Sequence, residues 1–237
     1  MTVSTCLYEG KAKRIYQTDQ VNELLVEYKD DATAFNGEKQ AVLSGKGRLN
    51  NEISARLLAK LQEDGVPNHF IRKVSDREQL VQAVKIMPLE VVVRNVAAGS
   101  LAGRIGYEEG VKLKQPIIEF YYKDDDLGDP LLNRDHITEL AMTDSETLDA
   151  IEEQALKVNT ILSNYFLSKN IRLIDFKLEF GHTETAGQLI LADEVSPDTC
   201  RLWDANTNEK LDKDVFRRDL ADLPEVYEQL LHRLGDA

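Results

Sequence analysis

The sequence predicts an α+β fold, antiparallel sheets with flanking helices. Three observations carry this. LIDFKLEFG, Leu173 to Gly181, alternates apolar and charged residues with the period of a strand. A polar turn from Gly181 to Gly187 then leads into LILADEV, so the two runs read as an antiparallel hairpin from Ile171 to Val195. Long apolar stripes at helical spacing flank the strands: Leu49, Ile53, Leu57, Leu58 and Leu61 in one segment, Leu148, Ile151, Ala155, Leu162 and Phe166 in another.

The elements follow in order. LYEGKAKRIYQT and NELLVEYKD read as a strand pair with a short polar connection. DDATAFNGEKQAVLSGKGR has little periodicity and reads as a long loop, a feature usually functional or disordered. LNNEISARLLAKLQEDG is a helix that Gly65 stops. HFIRKV is a strand. SDREQLVQAVKI fits a helix opened by a Ser75–Glu78 capping box, or a strand. In MPLEVVVRNVAAGS, Pro88 is expected to break the previous element and LEVVV to form a strand. Gly99-Ser100 then enters the helical SLAGRIGYEEG. PIIEFYYKDDDLGDPLLN is a strand running into an acidic turn. A Thr143–Glu146 capping box opens the second striped helix. LDKDVFRRDLADLPEVYEQLLHRLG reads as two helices divided near Pro224.

At 237 residues, 42% hydrophobic and 30% charged, the chain suits one large domain or two small lobes. No apolar run reaches membrane-spanning length, and MTVSTCLYEGKAKRIY lacks a secretory core. Two cysteines, Cys6 and Cys200, give no disulfide framework, so a reduced cytoplasmic setting is expected. A net charge of −13 argues against nucleic acid or an anionic membrane as a partner. A phosphorylated small molecule stays compatible, with its anion site built locally. The histidines at 69, 136, 182 and 232 form no zinc pattern and read as surface or local hydrogen-bonding groups.

On the alternating strand, Asp175, Lys177 and Glu179 share one face, and Ile174, Phe176, Leu178 and Phe180 the other. A hairpin centred near Ala186 would set Asp193 opposite Glu179. Facing carboxylates repel unless a cation lies between them, and Mg²⁺ is the expected one. GKAKRIY places Lys11 and Lys13 on one face of a strand, where two ammonium groups could grip polyphosphate. Neither a Walker loop nor a G-x-G-x-x-G turn occurs. Gly99-Ser100 at a helix entry, with Arg94 nearby, suits a phosphate; a plain Ser N-cap is the simpler alternative. The simpler alternative for the charged row is a solvated face, or ion pairs such as Asp175–Lys177 and Arg94–Glu90.

In this order, YEGKAKRIY, DDATAFNGEK, PLEVVVRNVAAGS, LIDFKLEFG and DEVSPDTCRLWD resemble the SAICAR synthetase family (phosphoribosylaminoimidazole-succinocarboxamide synthases of purine biosynthesis) over essentially the whole chain. The resemblance implies a two-lobed fold related to ATP-grasp and kinase-like nucleotide folds, and a homodimer. A mainly-β lobe, 1–86, would cover ATP; an α+β lobe, 87–237, would carry the metal and substrate sites. The implied reaction is an ATP-dependent ligation of carboxyaminoimidazole ribonucleotide (CAIR) with L-aspartate, through an acyl phosphate. Carried over by position, Lys11 and Lys13 resemble ATP phosphate contacts, with adenine at the backbone of Ile86 and Met87. Glu179 and Asp193 resemble Mg²⁺ ligands, Glu179 also at the ATP site. Arg94, Ser100 and Arg201 resemble contacts to the CAIR phosphate and ribose. Asp175, Lys177 and Asp129 resemble groups around the imidazole and its carboxylate, with Lys177 and Asp175 catalytic. The loop Asp31 to Lys46 resembles a mobile cover that helps recognise aspartate. Two rivals stand beside this: a small-molecule kinase that stops at phosphoryl transfer, and a non-catalytic nucleotide sensor.

Overall fold

A computed structural model describes residues 3–34 and 37–235. It opens with β1 (Val3–Glu9), β2 (Lys13–Thr18) and β3 (Glu23–Tyr28). The GKA turn splits the first strand-like run in two, so Lys11 and Lys13 do not share a strand. The segment expected to be a loop instead forms the hairpin β4 (Asp31–Ala34) and β5 (Lys39–Val42), in register Asp31↔Val42. Phe35 and Asn36 of that expected cover lie outside the described residues. Next come α1 (Lys46–Glu63), β6 (Phe70–Lys73) and β7 (Glu78–Gln82). The ambiguous segment is thus a strand: the Ser75 hydroxyl donates to Glu78 at 2.7 Å, but closes a turn between β6 and β7. Five of these strands form an antiparallel sheet ordered β1-β2-β3-β7-β6, and β4 and β5 pair apart from it.

β8 (Val84–Val96) runs unbroken through Pro88 and through the expected lobe boundary. A proline survives there because the pairing with the neighbouring long strand shifts register around it, where no ladder N–H is required. Then follow α2 (Gly99–Ile105), β9 (Lys112–Tyr122), β10 (Leu131–Leu132), α3 (Arg134–Glu139) and α4 (Ser145–Ser168). Asp144, not Thr143, caps α4: its carboxylate accepts from the Thr147 N–H at 2.7 Å. The long strand β11 (Ile171–Thr183), then β12 (Leu189–Ala192), β13 (Cys200–Asp204), α5 (Asp214–Arg217) and α6 (Leu223–Leu234) complete the chain. The second sheet runs β10-β9-β8-β11-β12, with β13 also paired to β11. Among the described residues no helix is long and apolar enough to cross a membrane.

The period-two pattern sorts β11 as expected from Asp175 to Phe180. Phe176, Leu178 and Phe180 enter the main core with the apolar stripes of α1, α4 and α6. Ile174 does not join them. The pairing with β13 shifts between Leu173 and Asp175, and Ile174 packs instead with Val96, Ala98 and Trp203. Gly181 marks a tight crossing, where a Cβ would stand 2.8 Å from the Lys85 carbonyl oxygen.

Candidate active site

The face of β11 opposite the core carries the charged row, and its cross-strand partners complete two clusters. Asp175 pairs in register with Arg94 on β8 and with Arg201 on β13. Arg94 Nη1 donates to Asp175 Oδ2 at 2.8 Å and Arg94 Nε to Glu119 Oε2 at 2.7 Å. Arg201 Nη1 donates to Asp175 Oδ2 at 2.9 Å, and its Nε to Asp214 Oδ2 at 2.9 Å. The Ser100 hydroxyl and the Tyr121 phenol stand 3.4 and 3.1 Å from Arg94 Nη2. Gly99 adopts φ +50°, where a side chain is strained, and a Cβ there would lie 2.6 Å from Arg201 Nη2 and push the guanidinium aside. The fold therefore brings Arg94, Ser100, Asp175 and Arg201 together. The simpler pairs Asp175–Lys177 and Arg94–Glu90 do not form.

The second cluster lines a cavity of about 800 Å³ between the two sheets. Glu179 lies directly opposite Glu90 across β8 and β11. Lys177 relieves that like-charge pair, with its ammonium 2.6 Å from Glu179 and 2.9 Å from Glu90. The expected pairing of Glu179 with Asp193 is off by one residue, because Ala192 takes the opposing position. Asp193 sits just past β12 in the left-handed region, at φ +60°. Its carboxylate still reaches the cluster, ion-paired with Lys13 and 3.8 Å from Lys177. Burial would lower the Lys177 and Lys13 pKa values. The surrounding carboxylates outweigh it and hold both ammonium groups well into the protonated form. Burial would likewise raise Asp193, but Lys13 and Lys177 keep it below the ordinary carboxylate range.

The other expected residues line the same cavity. Lys11 pairs with Asp125 at 2.7 Å, away from Lys13. Asp129 adopts φ +49° and accepts from the Asp124 N–H at 3.0 Å, which fixes the acidic turn at the cavity rim. Ile86 and Met87 lie on a stretch of β8 that β9 does not reach, since that pairing stops at Leu89↔Tyr122. This stretch has a strand neighbour on one side only. Glu179 and Asp193 offer hard carboxylate oxygens, a donor set that fits Mg²⁺, which needs only one or two such ligands beside phosphate and water.

Several residues escaped the sequence reading. Lys123 pairs with Glu179 at 2.5 Å, and Glu194 with Lys13 at 3.0 Å. Lys123 lies in YYKDDD and Glu194 beside Asp193, but only the folded sheet shows that they point inward. His69, read as a surface or local hydrogen-bonding group, is buried with its ring 2.8 Å from the Asp193 carbonyl oxygen. Burial lowers it to about 4, so it is neutral at neutral pH. Lys46 is fully buried, 2.8 Å from Asp198, which also accepts from the Tyr227 phenol.

Asp212 holds β13 to α5, accepting from the Leu202 and Asp214 N–H groups at 2.7 and 2.8 Å. Burial, and then the Asp214 charge, push it up to about 7. The raised value means a contribution to stability that is full below the ordinary Asp range and is lost as pH rises through about 7. Unfolding free energy should therefore fall between about pH 4 and 7, by at most ~1.4 kcal/mol per pH unit from this group. Asp212→Asn should flatten that slope, apart from a pH-independent offset for its altered hydrogen bonds. Denaturant titrations across this range would test it, and an unchanged slope would refute the assignment.

The SAICAR synthetase profile matches residues 6–234. The chain is 62% identical over 231 residues to the phosphoribosylaminoimidazole-succinocarboxamide synthase of Bacillus cytotoxicus, across 98% of this chain and 96% of that one. The crystal structure of the Ehrlichia chaffeensis synthase superposes with a TM-score of 0.95 at 46% identity, covering 98% of this chain and 99% of that one. A Type-2 SAICAR synthetase in complex with ADP superposes with a TM-score of 0.93 at 48% identity, covering 99% and 97%. Profile, sequence and fold agree over nearly the whole length: the chain belongs to the SAICAR synthetase family.

Proposed function

We propose that the cavity transfers the γ-phosphoryl group of ATP to the CAIR carboxylate beside Lys177, and that the amine of L-aspartate displaces it. Family membership sets the overall reaction: ATP-dependent condensation of CAIR with L-aspartate to SAICAR, ADP and phosphate in purine biosynthesis. One observation supports the site assignment above all. One face of the second sheet carries Lys177 and, farther along, the arginine pair Arg94 and Arg201, while Lys13 of the first sheet faces Lys177 across the cavity. Two anionic substrates, a polyphosphate and a ribonucleotide phosphate, would then be held with Lys177 between their reacting groups.

In this reading Lys11 and Lys13 hold ATP phosphates, and the one-sided stretch at Ile86 and Met87 offers backbone groups to adenine. Arg94, Ser100 and Arg201 hold the CAIR phosphate and ribose. Asp175 keeps both arginines aimed, and Asp129 borders the imidazole. A carboxylate oxygen of CAIR attacks the γ-phosphorus as the bond to the bridging oxygen of ADP breaks. The aspartate nitrogen then attacks the acyl carbon and phosphate leaves. Positioning and fixed positive charge do most of the catalysis in such transfers. Glu179 and Asp193 would hold Mg²⁺, which would supply charge neutralisation for the phosphates. The lobe 1–86 covers the nucleotide and 87–237 carries metal and CAIR. The segment Asp31 to Lys46 covers aspartate: Lys39 already reaches across to the Phe216 carbonyl oxygen and Asp219, at 2.6 Å each. The homodimer belongs to the proposal, supported by exposed Leu7 on the edge strand β1. So does a cytoplasmic setting, supported by two free cysteines.

The test is one assay with ATP, Mg²⁺, CAIR and L-aspartate, each omitted in turn. ADP release that does not depend on aspartate would favour the kinase reading. For the metal, Asp193→Asn should raise the Mg²⁺ concentration giving half-maximal rate and lower the maximal rate. A folded variant with unchanged Mg²⁺ dependence would sink that role.

A further inference from the structure

We propose that a second cavity, sharing no lining residue with the site above, binds a small oxyanion, a phosphate or a carboxylate. It measures about 400 Å³ and is lined by Glu109, Gly110, Arg172, Trp203, Asn208 and Lys210, together with Val111. Strand pairing builds it. Arg172 on β11 lies in register with Trp203 on β13, and Lys210 bridges to Trp203 from the other side. Cross-strand partners share a face, so the three side chains stand side by side. The Lys210 ammonium lies 3.0 Å from the centroid of the indole ring, and the Arg172 guanidinium carbon 5.6 Å.

The charge balance of this cavity is unusual for a chain with net charge −13. Among the described residues, neither Lys210 nor Arg172 has a carboxylate within ion-pair distance. Arg172 donates only to the amide oxygen of Asn208. The acid in the wall, Glu109, is taken by Arg218, with both oxygens bonded at 2.5 and 2.8 Å. Two donors are also unmet: Trp203 Nε1 and Arg172 Nε are buried without any acceptor. Buried donors are nearly always satisfied in native proteins, so two orphans beside two unpaired cations point to a missing acceptor. The aromatic face accounts for part of the Lys210 charge but supplies no acceptor to either N–H. Burial lowers the Lys210 pKa, and the more distant charges of Glu109, Asp212 and Asp214 do not make up for it. An oxyanion seated between Lys210 and Arg172 would supply the counter-charge that neither finds within ion-pair distance and an acceptor for the unmet Arg172 Nε–H.

Trp203 is the sole tryptophan of the chain, so its emission reports on the wall of this cavity, and the variants below separate a response arising here from one at Arg94 and Arg201. The purified full chain is titrated with inorganic phosphate, with succinate, and with KCl at matched ionic strength. A saturable change in emission is expected with one or both oxyanions and not with chloride; which one responds identifies the ligand class. Lys210→Met and Arg172→Met should each weaken it by about tenfold or more, the loss of one charge-assisted contact. Both should leave turnover near that of the unsubstituted chain, and far-UV circular dichroism identifies a variant that has failed to fold. No saturable change beyond that of KCl overturns the proposal. So does a response undiminished in a folded variant of either kind, since the anion would then sit at Arg94 and Arg201.

Discussion

Lys177→Met is expected to cut turnover by about 10²-fold or more, by analogy with removal of one electrostatic stabiliser, while ATP and CAIR still bind within several-fold. The ammonium is held by Glu179 and Glu90, with Asp193 nearby, and these carboxylates keep it protonated throughout the working pH range. Its charge is therefore fixed in place before the reaction begins. In the proposed mechanism, negative charge that builds between the γ-phosphate and the CAIR carboxylate meets it most strongly in the transition state, so the loss is expected in kcat rather than in affinity. Methionine keeps the length and removes the charge. It also leaves Glu90 opposite Glu179, with Lys123 still paired to the latter, so some loss of stability accompanies it. Lys177→Arg separates the two effects: it restores charge and stability, but not the placement of a single compact ammonium. Turnover within a few-fold of the parent in a folded Lys177→Met chain would reduce Lys177 to a spacer between two acids.

Arg94→Ala should do the most damage to the fold, and Arg201→Ala should not. Arg94 is buried and is bonded to Glu119 and Asp175, both buried as well. Removing one partner of a buried ion pair leaves uncompensated charge, at a cost of ~3–5 kcal/mol. Arg201 is more exposed, and Asp175 keeps Arg94 when Arg201 is lost. Its removal should weaken CAIR by about 10- to 150-fold with little effect on ATP, the worth of a charge-assisted phosphate contact. Lys13→Ala should show the reverse preference. Denaturation midpoints and separate binding titrations read these outcomes. If Arg201→Ala weakens both substrates equally, the two anion sites are not distinct.

The core face and the charged row of β11 were legible because burial on one side imposes a strict period of two. That pattern alone placed Asp175, Lys177 and Glu179 together. What it hid depended on partners distant in sequence. Ile174 departs from the pattern because β13 shifts its pairing there, which no local period encodes. Lys11 and Lys13 keep strand spacing in GKAK, but Gly10 begins a turn, and the two lysines face different acids. Glu90 matters because it lies opposite Glu179, a consequence of register across β8. Pro88 looked like a breaker since its tolerance depends on where the neighbouring ladder skips. The segment from Asp31 to Lys46 gave too weak an alternation to show its hairpin.

The shift between Leu173 and Asp175 has a consequence for how this strand tolerates changes in length. Upstream of it, β11 carries Ile171 and Leu173 into the core; downstream, Phe176, Leu178 and Phe180. One residue added near the shift could be absorbed by enlarging an irregularity that already exists. One residue added between Asp175 and Glu179 has no such outlet. It would exchange inside for outside, setting phenylalanine and leucine in the cleft and Lys177 or Glu179 against the helices. Insertion scanning along β11 should therefore find a permissive point at Leu173–Asp175 and a forbidden stretch just beyond it, within the same continuous strand.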